Sequence, residues 1–540
     1  MLITALQLSK TIGAKTLFTD LDFHIAPNEK VALIGRNGQG KSTLLHIIGG
    51  LDTDFTGSLT RKKNLRTVLT KQEHLTDNTL SALDYILKSV PHYIEYEKVL
   101  TGFEKEHHTD MHRYTEAVDY FSEHGYYYIK DLIMGTLNDF QITDEKANHP
   151  LVTLSGGEKR FVELTRMMYS QAELLLIDEP TNHMDYVGKE QFISWMLTVE
   201  AGVLVVTHDR DVLKHVDRII ELKDQHISSY KGNYEQYLKL NTAQTTSSVV
   251  NYQNQMKKLA DAKKRVEWGL QMRAKSKAWK VRYDHWVKDY EKIKSETVKP
   301  SFWIDQDSVA DLDKAVSDSY HKFKEKNVRI SVPTSKEKIS QLVGVKNLSL
   351  GYNGPLFADI TFAFGSTQRL FIKGRNGAGK STLVKTVISR YHGETPQATI
   401  FEGEIKLASN LRIGQYNQEL DPIYLEQTLE QAINNVYASL NIPIDVGKVK
   451  STMSQYLFDP VVDARQKIID LSGGQKARFQ LIKMFANKPN LLILDEPTNH
   501  LDLPSIEELE NALQDYDGGI LYISHDTSFI SKLGGEIVEI

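Results

Sequence analysis

The chain has 540 residues, with 65 Lys and Arg against 70 Asp and Glu for a net charge of −5. At about 150 residues per domain, that length implies three or four domains rather than one core. A composition 41% hydrophobic and 25% charged excludes collagen-like, wholly disordered and membrane classes, zero cysteines exclude disulfides and thiol chemistry, and the net charge gives no electrostatic case for a nucleic-acid partner.

Residues 1–15, MLITALQLSKTIGAK, lack the pattern of a secretory leader, so the expected location is cytoplasmic. The apolar run 30–34 reads as a strand leading into GRNGQGKST at 35–43, and helix-like residues follow at 42–48. Strand, G-x-x-x-x-G-K-[ST] and helix together make a phosphate cradle. Gly35, Gly38 and Gly40 let the backbone approach an anion, Lys41 neutralises it, and Ser42 holds Mg²⁺. Between Gln72 and the LSGGE at 154–158 lie helix-like, aromatic-rich stretches at 80–100 and 111–121. His107, His108 and His112 fall there without an H-E-x-x-H register and read as solvated. The run LLLIDE places Asp178 at a strand end, suited to the Mg²⁺ shell, with Glu179 as general base or water-orienting group. VVTHD ends the next apolar run at His208, which can reach a terminal phosphate. Taken singly, these motifs have plain readings: a Gly-rich turn, an acidic cap on a strand, an exposed histidine.

Repetition decides against those readings. GRNGAGKST recurs at 374–382, supplying Gly374, Asn376, Gly377, Gly379, Lys380, Ser381 and Thr382, and LSGGQ recurs at 471–475. LLILDE then brings Asp495 and Glu496, and YISHD brings His525. The first motif repeats after 339 residues and the next three after 317, so the first copy carries 22 more residues between its first and second motifs. Alternating strands and helices in each copy predict an α/β fold: two P-loop NTPase domains, at 1–240 (with a helical insert at about 73–150) and 341–540, joined by an α-helical hairpin linker at 241–340.

That linker is basic within an acidic protein: residues 251–300 hold fourteen Lys and Arg against six Asp and Glu, a net +8. Four of the five Trp lie between Trp268 and Trp303. Met256, Leu259, Val266 and Leu270 follow one helical phase, and Trp279, Tyr283, Trp286, Tyr290 and Ile293 another. A hairpin tip at 271–278 explains the change of phase; a tip at 299–308 competes, because Pro300 is the stronger breaker and Ser308 can cap a helix over 309–326. With the first tip, Arg273, Lys275, Lys277, Lys280 and Arg282 form a charged end suited to RNA phosphates, and Trp279 can stack on a base or pack between the helices.

The set GRNGQGKST, LSGGE, LLLIDEP, TNHMD and VVTHD, with its second copy, resembles the Walker A, signature, Walker B, D-loop and H-switch motifs of ATP-binding-cassette proteins. The resemblance implies head-to-tail cassettes binding ATP and Mg²⁺ between the P-loop of one and the signature of the other. Asn37, Lys41, Ser42, Thr43, Asp178 and Glu179 would then face Ser472, Gly473 and Gly474; Lys380, Ser381, Asp495 and Glu496 would face Ser155, Gly156 and Gly157. Gln72 and Gln418 match the Q-loop by position, with Gln415 a rival for the second. Tyr352 fits the adenine-stacking aromatic, whereas Ile12 holds that place in the first copy. Tandem cassettes on one chain, the charged linker and YKGNYEQYLKL at 230–240 resemble the ABC-F family in particular. This implies a monomeric ATP hydrolase that pairs its cassettes intramolecularly and has two competent sites. It implies binding to the ribosome's large subunit, rRNA and peptidyl-site tRNA near the tRNA exit site, with an effect on translation or antibiotic resistance. The insert would be the arm placed on the ribosome's stalk side. An energising subunit of a membrane transporter is the alternative, and it leaves the linker unexplained.

Overall fold

The computed structural model describes residues 1–13, 15–70, 79–106, 110–182, 184–296, 340–416, 420–456, 458–471, 473–499 and 501–540. Gln72, His107, His108, Gln418, Ser472, the competing tip at 299–308 and the helix expected at 309–326 lie outside these residues.

The first repeat contains strands β1 (Ile3–Ile12), β2 (Lys15–Ile25), β3 (Lys30–Gly35), β4 (Thr56–Arg61), β5 (Thr67–Leu69), β6 (Leu174–Asp178), β7 (Gly202–Val206), β8 (Arg218–Lys223) and β9 (His226–Lys231). A central sheet ordered β5-β6-β7-β3-β8-β9 is parallel except for β9, and a smaller antiparallel sheet runs β2-β1-β4. The second repeat contains β10 (Val343–Gly351), β11 (Pro355–Phe364), β12 (Arg369–Lys373), β13 (Thr399–Leu407), β14 (Ile413–Tyr416), β15 (Leu491–Asp495), β16 (Gly519–Ile523) and β17 (Glu536–Glu539). Its sheets run β14-β15-β16-β12-β17 and β11-β10-β13, the same plan with no counterpart of β9 among the described residues. The runs LLLID and GVLVV are buried throughout because both faces of a parallel sheet are covered. One face of the first sheet packs with the small sheet and helix Lys41–Gly49, the other with the helices of residues 82–213.

This order positions the site. The carboxyl ends of β6, β7 and β3 are neighbours, so Asp178, His208 and the loop after Gly35 meet at one edge, where open α/β sheets bind ligands. Gly40 and Gly379 complete the two loops at φ 97° and 99°; a Cβ there would meet Leu17 at 3.1 Å and Phe357 at 2.9 Å, so glycine is required twice over.

The additional length of the first repeat lies in the insert. Isolated bridges join Ser81 to Pro150 and Thr428 to Lys467, pairs 69 and 39 residues apart in sequence. Helices Tyr93–Glu106 and Met111–Glu123 fill the longer span and pack through stacked rings, Tyr93 on Phe121 and Phe103 on Tyr114.

The linker begins as helix Tyr234–Met272, reverses at residues 273–276, and returns as helix Lys277–Glu296. Arg265 with Asp289 and Trp268 with Trp286 fix the antiparallel register. Gly269 does not break the first helix. It admits the partner, since a Cβ at 269 would lie 2.9 Å from the Trp286 ring. No helix among the described residues is long and apolar enough to cross a membrane.

Candidate ATP sites

Each P-loop lysine heads a helix and folds over its own loop: Lys41 Nζ donates to the Gly35 carbonyl at 2.6 Å, and Lys380 Nζ to Gly374 and Arg375 at 2.9 and 2.8 Å. Burial lowers the pKa of both lysines. Ser381 Oγ donates to Asp495 Oδ1 at 3.2 Å, so the two residues assigned to Mg²⁺ in the second repeat already meet; Ser42 and Asp178 occupy the equivalent positions in the first. An alcohol and a carboxylate are oxygen donors suited to that ion.

Glu179 and Glu496 sit one residue beyond their strands at φ 46° and 47°, a left-handed conformation unusual for glutamate, with their N–H groups tied to Val206 and Ile523. Burial pushes both carboxyls up, Glu496 to about 7. His208 Nε2 lies 3.6 Å from Glu179 Oε1, and His525 Nε2 lies 3.2 Å from Glu496 Oε1. Burial, then the nearby lysine charge, pushes both imidazoles down to about 3 and keeps them neutral. Glu496 Oε1 and His525 Nε2 are buried polar atoms without a hydrogen-bond partner, and both residues line a cavity of about 720 Å³. That is the condition a bound phosphate and attacking water would relieve.

The same cavity joins the repeats. On one wall stand Asn376, Gly377, Gly379, Lys380, Ser381 and Thr382; on the other stand Ser155, Gly156 and Gly157, with Ser155 capping helix Gly156–Met168. The first signature therefore faces the second P-loop. A second cavity, of about 410 Å³, lies between the two switch histidines, with Asn37, Gly38, Glu179 and His208 on one side and Thr498, Asn499, Ile506 and His525 on the other; Gly473 and Gly474 begin helix Gly473–Phe485. Strand register aligns the Q-loop candidates. Leu69 lies opposite Leu176 and Gln415 opposite Ile493, positions related by the 317-residue repeat, so Gln415 matches Leu69. Ile12, the last residue of β1, and Tyr352, one residue beyond β10, are both exposed.

Sequence reasoning missed the aspartates that clasp the repeats together. Asp185 Oδ1 accepts from Gly188 N–H at 2.9 Å, capping its own helix, and Oδ2 accepts from Asn376 N–H of the opposite P-loop at 3.1 Å. Asp502 does the same with Ser505 and Asn37, both at 3.1 Å. Burial opposes the Asp185 charge, but these N–H groups and Arg375 outweigh it and hold its pKa below the usual carboxylate range. Both aspartates close the EPTNHMD and EPTNHLD motifs, so their repetition was the available signal. Arg160, which donates to the carbonyls of Asp178 and Glu179, had no such signal, because Ala477 stands at its repeat position.

At the hairpin end Arg273, Lys275, Lys277, Lys280 and Arg282 are exposed. Trp279 meets Trp268 edge to face at 5.2 Å and carries the Arg282 guanidinium 5.0 Å above its ring, so it packs between the helices.

The ABC transporter family model matches residues 18–182 and 357–499. The putative ATP-binding protein YdiF of Bacillus subtilis is 28% identical across 100% of this chain and 80% of its own length. The ribosome protection protein VmlR of Bacillus subtilis and the energy-dependent translational throttle protein EttA of Mycobacterium tuberculosis are each 27% identical across 98% of this chain, and 85% and 89% of their own lengths. A solved RNase-L inhibitor superposes with a TM-score of 0.56 at 15% identity, covering 99% of this chain and 87% of that one, a likeness of fold. Because the family match runs through both repeats, and the signature helix of the first faces the P-loop of the second within one chain, this protein belongs to the ATP-binding-cassette family, in its ABC-F branch, and is an ATPase.

Proposed function

We propose that the protein is a cytoplasmic, ribosome-associated ATPase of three parts: cassettes at 1–240 and 341–540 and a hairpin linker at 241–340. ATP closes the cassettes, the closed form docks near the tRNA exit site of the large subunit, and hydrolysis releases it. Gly35–Thr43 and Gly374–Thr382 bind the phosphates, with Ser155, Gly156 and Gly157 or Ser472, Gly473 and Gly474 as the opposing walls. Gln72 and Gln418 sense the bound nucleotide, and Tyr352 packs on adenine in the second site. Ser42 with Asp178, and Ser381 with Asp495, hold Mg²⁺, which when bound neutralises phosphate charge. Glu179 and Glu496 orient and deprotonate water, while the neutral His208 and His525 contact the terminal phosphate.

The observation that carries the reading is the hairpin with its exposed basic end, rooted in a chain whose first signature faces its own second P-loop. Such an end fits the phosphates of rRNA and peptidyl-site tRNA, and the aromatic helix pair of the insert fits a second contact on the stalk side. The names of VmlR and EttA support a place in translation or its protection from antibiotics. Glu179→Gln with Glu496→Gln should leave ATP binding intact, stop hydrolysis and hold the protein on ribosomes in a sucrose gradient. If this double variant sediments free of ribosomes in ATP, ribosome association is refuted.

A further inference from the structure

The centre of the interface is not symmetric. Lys189, in the first turns of helix Tyr186–Thr198, is buried with its side chain 7% exposed. Its Nζ donates to the main-chain carbonyl of His525 in the other cassette at 2.7 Å, and pairs with Asp209 and Asp211 of its own cassette at 2.9 and 3.2 Å. Asp211 in turn accepts from Thr527 Oγ1 at 2.6 Å. The 317-residue repeat maps Lys189 onto Ile506 and Asp211 onto Ser528. Ile506 lines the cavity beside His208 and Asp209 and has no donor to offer the His208 carbonyl.

We propose that Lys189 is a positioning residue for the second ATP site, acting in trans by fixing the main chain of His525, and that the first site has no counterpart. The inference rests on the assignment of Glu496 and His525 made above. Lys189 follows Asp185, which holds Asn376 of the second P-loop, so one helix start in the first cassette grips both the P-loop and the switch of the second site. The second site is thereby preorganised, its imidazole held 3.2 Å from Glu496, whereas the corresponding separation in the first site is 3.6 Å. Lys189 reaches no reacting group itself, so its effect falls on turnover rather than on nucleotide binding.

The test isolates each site in the full-length chain. Glu179→Gln leaves the second site to turn over, and Glu496→Gln leaves the first. Lys189→Met should lower kcat about tenfold or more in the Glu179→Gln background with ATP KM within about threefold, as expected for a misplaced catalytic group. It should change kcat less than about twofold in the Glu496→Gln background. Lys189→Arg, which keeps a donor and a charge, should recover most of the loss. Equal losses in the two backgrounds, no loss in either, a loss confined to KM, or no recovery by arginine would overturn the proposal. Hydrolysis persisting in the Glu179→Gln, Glu496→Gln double variant would instead refute the assignment of the glutamates.

Discussion

The Arg210–Glu510 pair gives the sharpest energetic test of the interface. Arg210 Nη1 and Nη2 donate to the two Glu510 oxygens at 2.7 and 3.4 Å, from opposite cassettes, with side chains 4% and 2% exposed. Removing one partner of a buried pair leaves an uncompensated charge and costs about 3–5 kcal/mol. Lys532 also reaches Glu510, at 3.2 Å, so Arg210→Ala belongs at the low end, about 3 kcal/mol or roughly a hundredfold in the closed-to-open ratio. Glu510→Ala removes the acceptor shared by Arg210 and Lys532 and belongs nearer about 5 kcal/mol. The repeat positions show what the fold accepts instead, since Arg210 maps onto Thr527 and Glu510 onto Ile193. Arg210→Thr with Glu510→Ile should therefore recover most of the loss, because replacing both charges removes the desolvation cost along with the attraction. The chain has no cysteine, so dyes on cysteines introduced at the exposed Leu51 and Val461 can follow ATP-driven closure by energy transfer. Closure by Arg210→Ala at the wild-type ATP concentration, or a double variant as impaired as the worse single one, would refute the reasoning.

The two remaining predictions concern the switch and the clasp. His208 and His525 are held near 3 in the fold against 6.5 when unfolded, so below pH 6.5 the unfolded chain takes up protons that the native one refuses. Each histidine thus costs the fold about 2 kcal/mol at pH 5, while the raised carboxyls of Glu179 and Glu496 pull the other way. Relative to wild type, the urea midpoints of His208→Gln and His525→Gln should rise as pH is lowered from 8 to 5, and a difference that stays constant with pH would count against buried neutral histidines. Asp185→Ser keeps an N-cap but cannot also reach Asn376; it should melt close to wild type while weakening ATP-driven closure by roughly ten- to a hundredfold, the worth of a charged hydrogen bond. Asp185→Ala should lose a further ~1 kcal/mol of stability.

What the sequence revealed was what it encodes locally. The P-loops, Asp178, Glu179 and their copies are legible because each motif performs its chemistry within a few residues, and because the repeat removes chance as an explanation. The aspartates of the clasp were in plain view, but their second bond goes to a residue 191 or 465 positions away, so only the cap role was readable. Arg210 and Glu510 lie 300 residues apart and break the repeat, which left no pattern to follow. Gly269 misleads in the opposite direction. As a propensity it argues for a break, yet the packed Trp286 ring uses the missing Cβ and the helix continues.

The same reasoning gives the hairpin its mechanical meaning. Its first helix is 39 residues, about 58 Å at 1.5 Å per residue, and starts from Tyr234 and Tyr237, which stack in the core of the first cassette. Tyr230, beside Tyr237 on β9, donates to Glu221 of β8, the strand paired with β3 immediately before the first P-loop. P-loop and hairpin root are thus fixed to one strand, while Leu503 and Pro504 of the second cassette close the cavity around Tyr237. A rotation of the root by about 10° would carry the far end of such a lever through about 10 Å. Small changes at the cassette interface would then advance or withdraw the basic end, and the unbroken helix through Gly269 would carry that displacement over its length.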